Sequence, residues 1–465
     1  MTTNMKSKLF DRTLFNLRSV WQQINILSSD HPALKPDLPD TDIVHLKQQM
    51  RDCLESKGGN VSARARAAKL GEAYLGLNDT GRLRFLELLA QDFGVDNQSV
   101  KQLAEEISSS DTDNLGKLHQ KMRNALKPAG LALLTQFNSL PSGVKFLVDM
   151  RSDLNRLGER DNPSFKELDK SLKDLLKSWF DVGFLDLVRL SWSTPASVLE
   201  KLIHYEAVHK IRSWSDLKNR LQTDRRCFAF FHPRMPDEPI IFVQVALVKD
   251  LSGNIQALLD ESAPLEDPFE ADTAIFYSIT NAQSGLAGVG FGDFLIKRVV
   301  ADLKAELPNI KTFSTLSPIP GLRRWLDSNS ETDLLLPSER QTLRKIDAFT
   351  TLSETLNKPD WHFNETLVAA LKQPLMRLTA EYLVHTKQRN RALDPVANFH
   401  LNNGARLERI NWLADTSTKG ISESAGMMVN YLYKLSDIES NHETYRDNAK
   451  TITSNTVQSL LKKTK

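Results

Sequence analysis

Cysteine is scarce: Cys53 and Cys227 are the pair found in 465 residues. That excludes a disulfide framework and any cysteine-rich zinc site, and it fits a reducing compartment. No apolar run is long enough to cross a bilayer. Charge of either sign is not in surplus, since 60 Lys and Arg stand against 58 Asp and Glu for a net +2. There is therefore no global drive toward nucleic acid, and partners have to be read from local features. Repeats and low-complexity tracts are also missing. At this length, with 40% hydrophobic residues, the chain can build more than one core, so a multi-domain protein without a membrane span is expected.

What is present divides into two regimes. Up to residue 183 nearly every segment carries helical spacing. Lys6, Lys8, Arg12 and Arg18 stand against Asp11 at the start, a faint transit-peptide pattern; an amphipathic first helix on Leu9, Leu14, Leu17 and Val20 accounts for it better. Further on, Asp79 or Thr80 is placed to cap one helix and Gly94 to end it, with Asp96 starting the next. From residue 184 the pattern is mixed. Thr194-Pro195 marks a helix start, and strands are predicted at 227–232, 239–248, 273–280 and 312–317. The sequence thus predicts an α+β protein, an all-α helical bundle over 1–183 followed by an α/β catalytic domain over 184–465.

The most informative stretch runs from Thr273 to Pro320. TAIFYSIT reads as a buried strand, NAQSGLAGVGFGD as a glycine-punctuated loop, and FLIKRVVADLKAEL as a helix with Leu295, Val299 and Leu303 recurring every four residues. A strand feeding a glycine-rich turn into a helix gathers unpaired N–H groups where a phosphate can sit. The spacing of Gly285, Gly288, Gly290 and Gly292 is neither the Rossmann order nor a P-loop. The stretch is read as a nucleotide or acyl-CoA cradle, with an ordinary tight connection as the alternative; Lys297 and Arg298 are candidates for a CoA phosphate, and a solvated helix face explains them equally.

Among the ten histidines, His204 and His209 flank Glu206 on one predicted helix. Their separation turns the imidazoles about 140° apart at 3.6 residues per turn, so no metal site is expected there. His400 stands apart. Asp394-Pro395 and the Asn402-Asn403-Gly404 turn bracket it, which predicts a loop or loop edge, where side chains meet ligands. Ser317 closes a strand ahead of Pro-Ile-Pro-Gly, a turn stiffened by two prolines, and no nucleophile elbow surrounds it.

In one order the chain carries TAIFYSIT, GLAGVGFGDFLIKRVV, FSTLSPIPG, PLMRLTAEYL, DPVANFHLNNGA and RINWLAD, with GVKFLVDMRSDL and LKSWFDVGFLDL in the helical half. Together these closely resemble the malonyl-CoA decarboxylase family over most of the chain. The resemblance implies a helical domain used for oligomerisation, as a tetramer or dimer of dimers, and a C-terminal domain of the GCN5-related N-acetyltransferase fold. It implies conversion of malonyl-CoA to acetyl-CoA and carbon dioxide with no cofactor, neither metal nor biotin. Carried over by position, the substrate-binding loop falls on Ala287, Gly288, Val289, Gly290, Phe291, Gly292 and Asp293, joined by Ser317 and His400. The catalytic serine falls on Ser317 and the catalytic histidine on His400, and Tyr433 matches a tyrosine near the reaction centre. Animal members carry a glutamate where this chain has Gly290, so a carboxylate there is not essential here. The ending LLKKTK lacks the peroxisomal tripeptide of animal members, and the expectation is a bacterial cytoplasmic enzyme without nucleic-acid or membrane partners.

Loss of carbon dioxide leaves a thioester enolate, so the site must stabilise an oxygen that gains charge and then protonate a carbon. His400, expected to titrate near neutrality, is the natural donor, and Ser317 orients the carboxylate or shares the proton. Two other readings use the same parts. An acyl-CoA-dependent acyltransferase needs an amine acceptor and a base; a non-catalytic acyl-CoA-binding protein needs neither.

Overall fold

The periodic segments of the first regime become helices because each repeats an apolar residue at every turn of one face. The computed structural model describes residues 20–21, 34–55, 59–110, 114–159, 161–290 and 292–462. The proposed first helix on Leu9, Leu14 and Leu17 lies outside them. From Asp40 to Trp179 the helices are α1 (Asp40–Leu54), α2 (Gly59–Leu75), α3 (Asp79–Asp92), α4 (Asn97–Ser109), α5 (Leu115–Ala125), α6 (Ala129–Gln136), α7 (Gly143–Leu157) and α8 (Pro163–Trp179). Asp96 caps α4 as expected, accepting from Gln98 N and Ser99 N. The cap of α3 falls one residue earlier than expected: Asn78 accepts from Gly81 N, and Phe93 rather than Gly94 ends the helix. In α8, Asn162 caps, Pro163 opens the first turn, and Phe165, Leu168, Leu172 and Leu176 bury one stripe. The centre of this part is α7, where Val144, Phe146, Leu147, Val148, Met150 and Leu154 are all buried. The Phe146 ring packs on Phe137, Trp21 and Tyr74 at 4.8, 5.0 and 5.6 Å. Burial of one such ring is worth roughly 1.5–3 kcal/mol, so this cluster is a main fastening of the helices.

By its contacts the chain divides into two compact units. The first comprises Met1–Leu185 with His232–Glu238 and Gln283–Gly290; the second comprises Asp186–Phe231, Pro239–Ala282 and Phe291–Lys465.

The second unit is built on an eight-stranded sheet. Its strands are β1 (Asp186–Leu190), β2 (Arg225–Phe231), β3 (Ile241–Val248), β4 (Thr273–Asn281), β5 (Thr312–Thr315), β6 (Ser317–Pro318), β9 (Arg406–Asn411) and β10 (Met428–Leu432), while β7 (Lys387–Gln388) and β8 (Arg391–Ala392) form a separate hairpin. The order is β1-β2-β3-β4-β5-β10-β6, with β9 on β10. The one parallel pair is β4 with β5; the other pairs in the sheet are antiparallel. The continuous apolar run of β3 has strands on both sides and is buried along nearly its whole length.

Two features of this sheet position the site. Parallel pairing covers only Thr273–Phe276 against Thr312–Thr315 and ends with Leu316 N donating to Phe276 O at 3.0 Å. Beyond that, β4 runs on to Asn281 paired with β3, so β4 and β5 part. The predicted strand 312–317 is broken at Leu316, and Ser317 begins β6, paired with Val429 of β10. Helices α9 (Ala196–Tyr205) and α10 (Trp214–Asn219) precede β2, and α11 (Gly292–Glu306), α12 (Glu365–Val384) and α13 (Pro395–Asn402) follow β4. The start of α9 differs from expectation: Pro195 is its N-cap, and Thr194 instead accepts from Ser191 N at 2.9 Å. That helix stops at Tyr205, so His209 is not on it, and Glu206 turns into the sheet to accept from Ser278. No helix among the described residues is long and apolar enough to cross a membrane.

Candidate active site

Three side chains singled out in the sequence meet inside the second unit. Ser317 Oγ lies 3.1 Å from His400 Nε2, and His400 Nδ1 lies 2.8 Å from the Tyr433 hydroxyl. All three are buried. The sequence expectation for His400 is corrected: it lies on α13, not on a loop. Asp394-Pro395, read as a turn, is a helix start in which Asp394 Oδ1 accepts from Val396 N and Ala397 N and proline occupies the first position.

Asp394 also joins the two halves of the site. Its Oδ2 accepts from Gly321 N at 3.2 Å, tying α13 to the Ser-Pro-Ile-Pro-Gly turn that follows β5. Gly321 is required for that approach, since a Cβ there would stand 2.1 Å from the Tyr382 hydroxyl. Burial pushes the Asp394 carboxyl above its ordinary range, against the amides it accepts from.

The imidazole is held on every side. It stacks on Tyr431 at 4.6 Å and 24° and meets Phe399 edge-on at 5.0 Å. Ser317 Oγ donates to Thr315 Oγ1 at 2.9 Å, and Thr315 Oγ1 also accepts from Tyr431 N. With its proton directed there, Ser317 accepts from Nε2–H, and Nδ1 accepts from the Tyr433 O–H. This tautomer satisfies every contact in the chain of groups. Burial pushes the His400 pKa down to about 3, so the ring is neutral at physiological pH. The expectation of titration near neutrality is thereby corrected: a ring wholly removed from water, with neutral partners, cannot hold the cation.

The glycine-rich loop belongs by its contacts to the first unit as far as Gly290. A short 3-10 turn, Ser284–Leu286, opens it. Arg151 of α7, buried, donates from Nη1 to Gly285 O at 2.7 Å and Ala287 O at 2.9 Å, while its Nε pairs with Asp169 at 2.8 Å. Ser152 Oγ meets Ser284 Oγ at 2.7 Å. Of the glycines, Gly288 has a positive φ, +72°, whereas Gly285 is needed for space, because a Cβ there would lie 1.8 Å from Val148 O. A Cβ on Gly290 would meet nothing within 4 Å. Val289 is buried while Ala287, Gly288 and Gly290 are exposed. Among the described residues the amides of Gly288 and Gly290 make no hydrogen bond. Phe291 lies outside the described residues, and Gly292 and Asp293 are described by backbone alone, at the start of α11. Arg298 lies over the Phe230 ring at 5.7 Å.

Sequence models of the malonyl-CoA decarboxylase N-terminal and C-terminal domains match residues 93–180 and 183–465. The chain belongs to the malonyl-CoA decarboxylase family. It is 44% identical over 405 residues to the mitochondrial malonyl-CoA decarboxylase of Anser anser anser, covering 82% of this chain and 80% of that one. The mouse mitochondrial enzyme is 39% identical, with 82% of each covered. Crystal structures of malonyl-CoA decarboxylase from Agrobacterium vitis and Rhodopseudomonas palustris each superpose with a TM-score of 0.82 over 90% of this chain, at 38% and 41% identity, covering 100% and 99% of those chains. Like those relatives this family member is a carboxy-lyase, and the expected order of a helical region before a mixed-sheet domain is what the fold displays.

Arg151 is not marked out by the sequence, and Asp394 is expected in a turn and not as part of the site. Arg151 looks like any charge on an amphipathic helix, and its partners are 134 and 136 positions away. An aspartate in front of proline is also an N-cap signal, and weighing it that way would have placed His400 on a helix.

Proposed function

We propose that malonyl-CoA is decarboxylated at the Ser317, His400 and Tyr433 cluster and that its CoA is held by the loop Ala287–Asp293. The observation that carries this reading is the unbroken contact Ser317–His400–Tyr433 among buried side chains. As the bond to the carboxylate breaks, its electron pair moves into the thioester and carbon dioxide leaves. The resulting enolate is a far stronger base at carbon than a serine alkoxide or an imidazolate. A neutral hydroxyl is therefore acid enough: Ser317 delivers its proton to the carbon, His400 Nε2–H refills Ser317, and Tyr433 refills Nδ1. Tyr433 ends the relay, and the proton deficit passes to its phenol until it is made good. Before that step, the Ser317 hydroxyl turns from Thr315 to the malonyl carboxylate and orients it.

The amides of Gly288 and Gly290, which make no hydrogen bond among the described residues, support phosphate binding by the loop. The family resemblance supports a homo-oligomer, a tetramer or dimer of dimers, formed through the helical part, 1–183, with 184–465 as the catalytic part. We place the enzyme in the cytoplasm.

Incubation with malonyl-CoA alone tests the reading. Carbon dioxide and acetyl-CoA in equal amounts are expected. Turnover that depends on an added amine would make the protein an acyltransferase, and binding without turnover would make it a sensor.

A further inference from the structure

In the sequence, Lys297 and Arg298 on α11 are the candidate cations for a CoA phosphate. The helical part of the first unit holds a better one. Lys173 lies on α8, two turns beyond Phe165 and one beyond Asp169, and its side chain reaches the loop: a Cβ built on Gly288 would stand 2.9 Å from Lys173 Nζ and 3.3 Å from its Cε. The ammonium thus lies over the one loop glycine with a positive φ, whose own amide is free.

Among the described residues no carboxylate answers that charge. Among the described residues Lys173 forms neither an ion pair nor a hydrogen bond. The carboxylate one turn earlier on the same helix, Asp169, is already occupied by Arg151 at 2.8 Å, and Lys166 is paired with Asp161 at 3.3 Å. Arg151 in turn fixes the loop by two carbonyl oxygens, so the position of Gly288 beneath Lys173 is held rather than incidental. Beside the loop lies a cavity of about 470 Å³ whose lining includes Arg151, Lys166, Ser284 and Ala287 together with Glu159 and Asp169. A half-buried ammonium with no counter-charge among the described residues, over a glycine loop with N–H donors unused among them, has the chemistry of a phosphate contact.

We infer that Lys173, on the helical part of the chain, is a substrate-binding residue that pairs with a phosphate group of the CoA held on the 287–290 loop. The inference rests on the loop's assignment to CoA in the proposed function. Because the lysine meets the carrier and not the reacting carbons, it acts on affinity. It acts equally on substrate and product.

The experiment is titration calorimetry of CoA, dephospho-CoA and pantetheine against wild type, Lys173→Ala and Lys173→Arg, with steady-state kinetics on malonyl-CoA in parallel. Lys173→Ala is expected to weaken CoA about 10-fold, as for one charge-assisted contact, and to raise KM alike with kcat unchanged. Lys173→Arg keeps most of the affinity, and added salt narrows the gap between wild type and Lys173→Ala. Pantetheine, which has no phosphate, should bind both proteins equally. An effect that persists with dephospho-CoA assigns the contact to the diphosphate, and one that vanishes assigns it to the 3′-phosphate; either supports the pairing. Unchanged CoA affinity in Lys173→Ala, or an equal loss for pantetheine, would overturn it. Wild-type protein that binds CoA with this lysine dependence but releases no carbon dioxide from malonyl-CoA would sink the reaction assigned above and leave Lys173 in place.

Discussion

Asp394 holds Gly321 N at 3.2 Å from the cap of the helix that carries His400. One carboxylate therefore sets both the turn leaving Ser317 and the axis that aims the imidazole at it. Hydrogen bonding within this arrangement runs from Tyr433 through His400 and Ser317 to Thr315, and it orders the consequences that can be measured.

Tyr433 is placed to fix the tautomer of His400 and to hold the proton deficit. Tyr433→Phe keeps the ring and its packing while removing the hydroxyl at 2.8 Å from Nδ1. Turnover is expected to fall about 10-fold or more, in the range for one member of an acid–base relay, with KM for malonyl-CoA little changed. A Tyr433→Phe enzyme with wild-type kcat would remove the phenol from the relay.

The buried imidazole makes a statement about acid stability. Folding lowers its pKa to about 3 from an ordinary value near 6.5. The contribution of His400 is thus fully present above pH 6.5 and is lost as pH falls from there toward 3, because the unfolded chain takes up a proton that the folded ring refuses. Between pH 7 and pH 5 the wild type should lose roughly 2 kcal/mol that His400→Gln does not. Denaturant midpoints of both proteins at the two pH values give the comparison. Equal losses would mean that the ring is reached by water.

The loop glycines differ in their demands. Gly285→Ala drives a methyl into Val148 O, backbone that cannot give way easily, and should displace the loop and weaken malonyl-CoA binding. Gly288→Val forces a branched residue to a φ of +72° and should weaken binding too. Gly290→Ala meets open space and should leave KM near wild type. Measured KM values for the three variants separate these cases, and a Gly290→Ala defect as large as that of Gly285→Ala would contradict this account of the loop.

Much of this was legible in the sequence, and the parts that were not have physical causes. The run TAIFYSIT and the repeat of Leu295, Val299 and Leu303 are local patterns, and both elements formed as read. Ser317, His400 and Tyr433 were placed by resemblance, since nothing local says that residues 83 and 33 positions apart will touch. Helix against turn at Asp394-Pro395 was a matter of weighing the same residues differently: an aspartate before proline caps a helix as readily as it opens a turn. The charge state of His400 was beyond reach, because burial and not the residue type decides it. The fastening of the loop by Arg151 likewise depends on a contact that only the fold creates.

The most direct test is a double-mutant cycle on turnover, comparing Ser317→Ala, His400→Ala and the pair, with malonyl-CoA as the sole substrate. Each single change should lower kcat by roughly 10²-fold or more, the usual scale for a positioned proton donor. Because the two side chains act as one relay across 3.1 Å, the double variant should be scarcely worse than either single one. Near-wild-type turnover in either single variant, or losses that multiply in the pair, would contradict a shared proton path between Ser317 and His400.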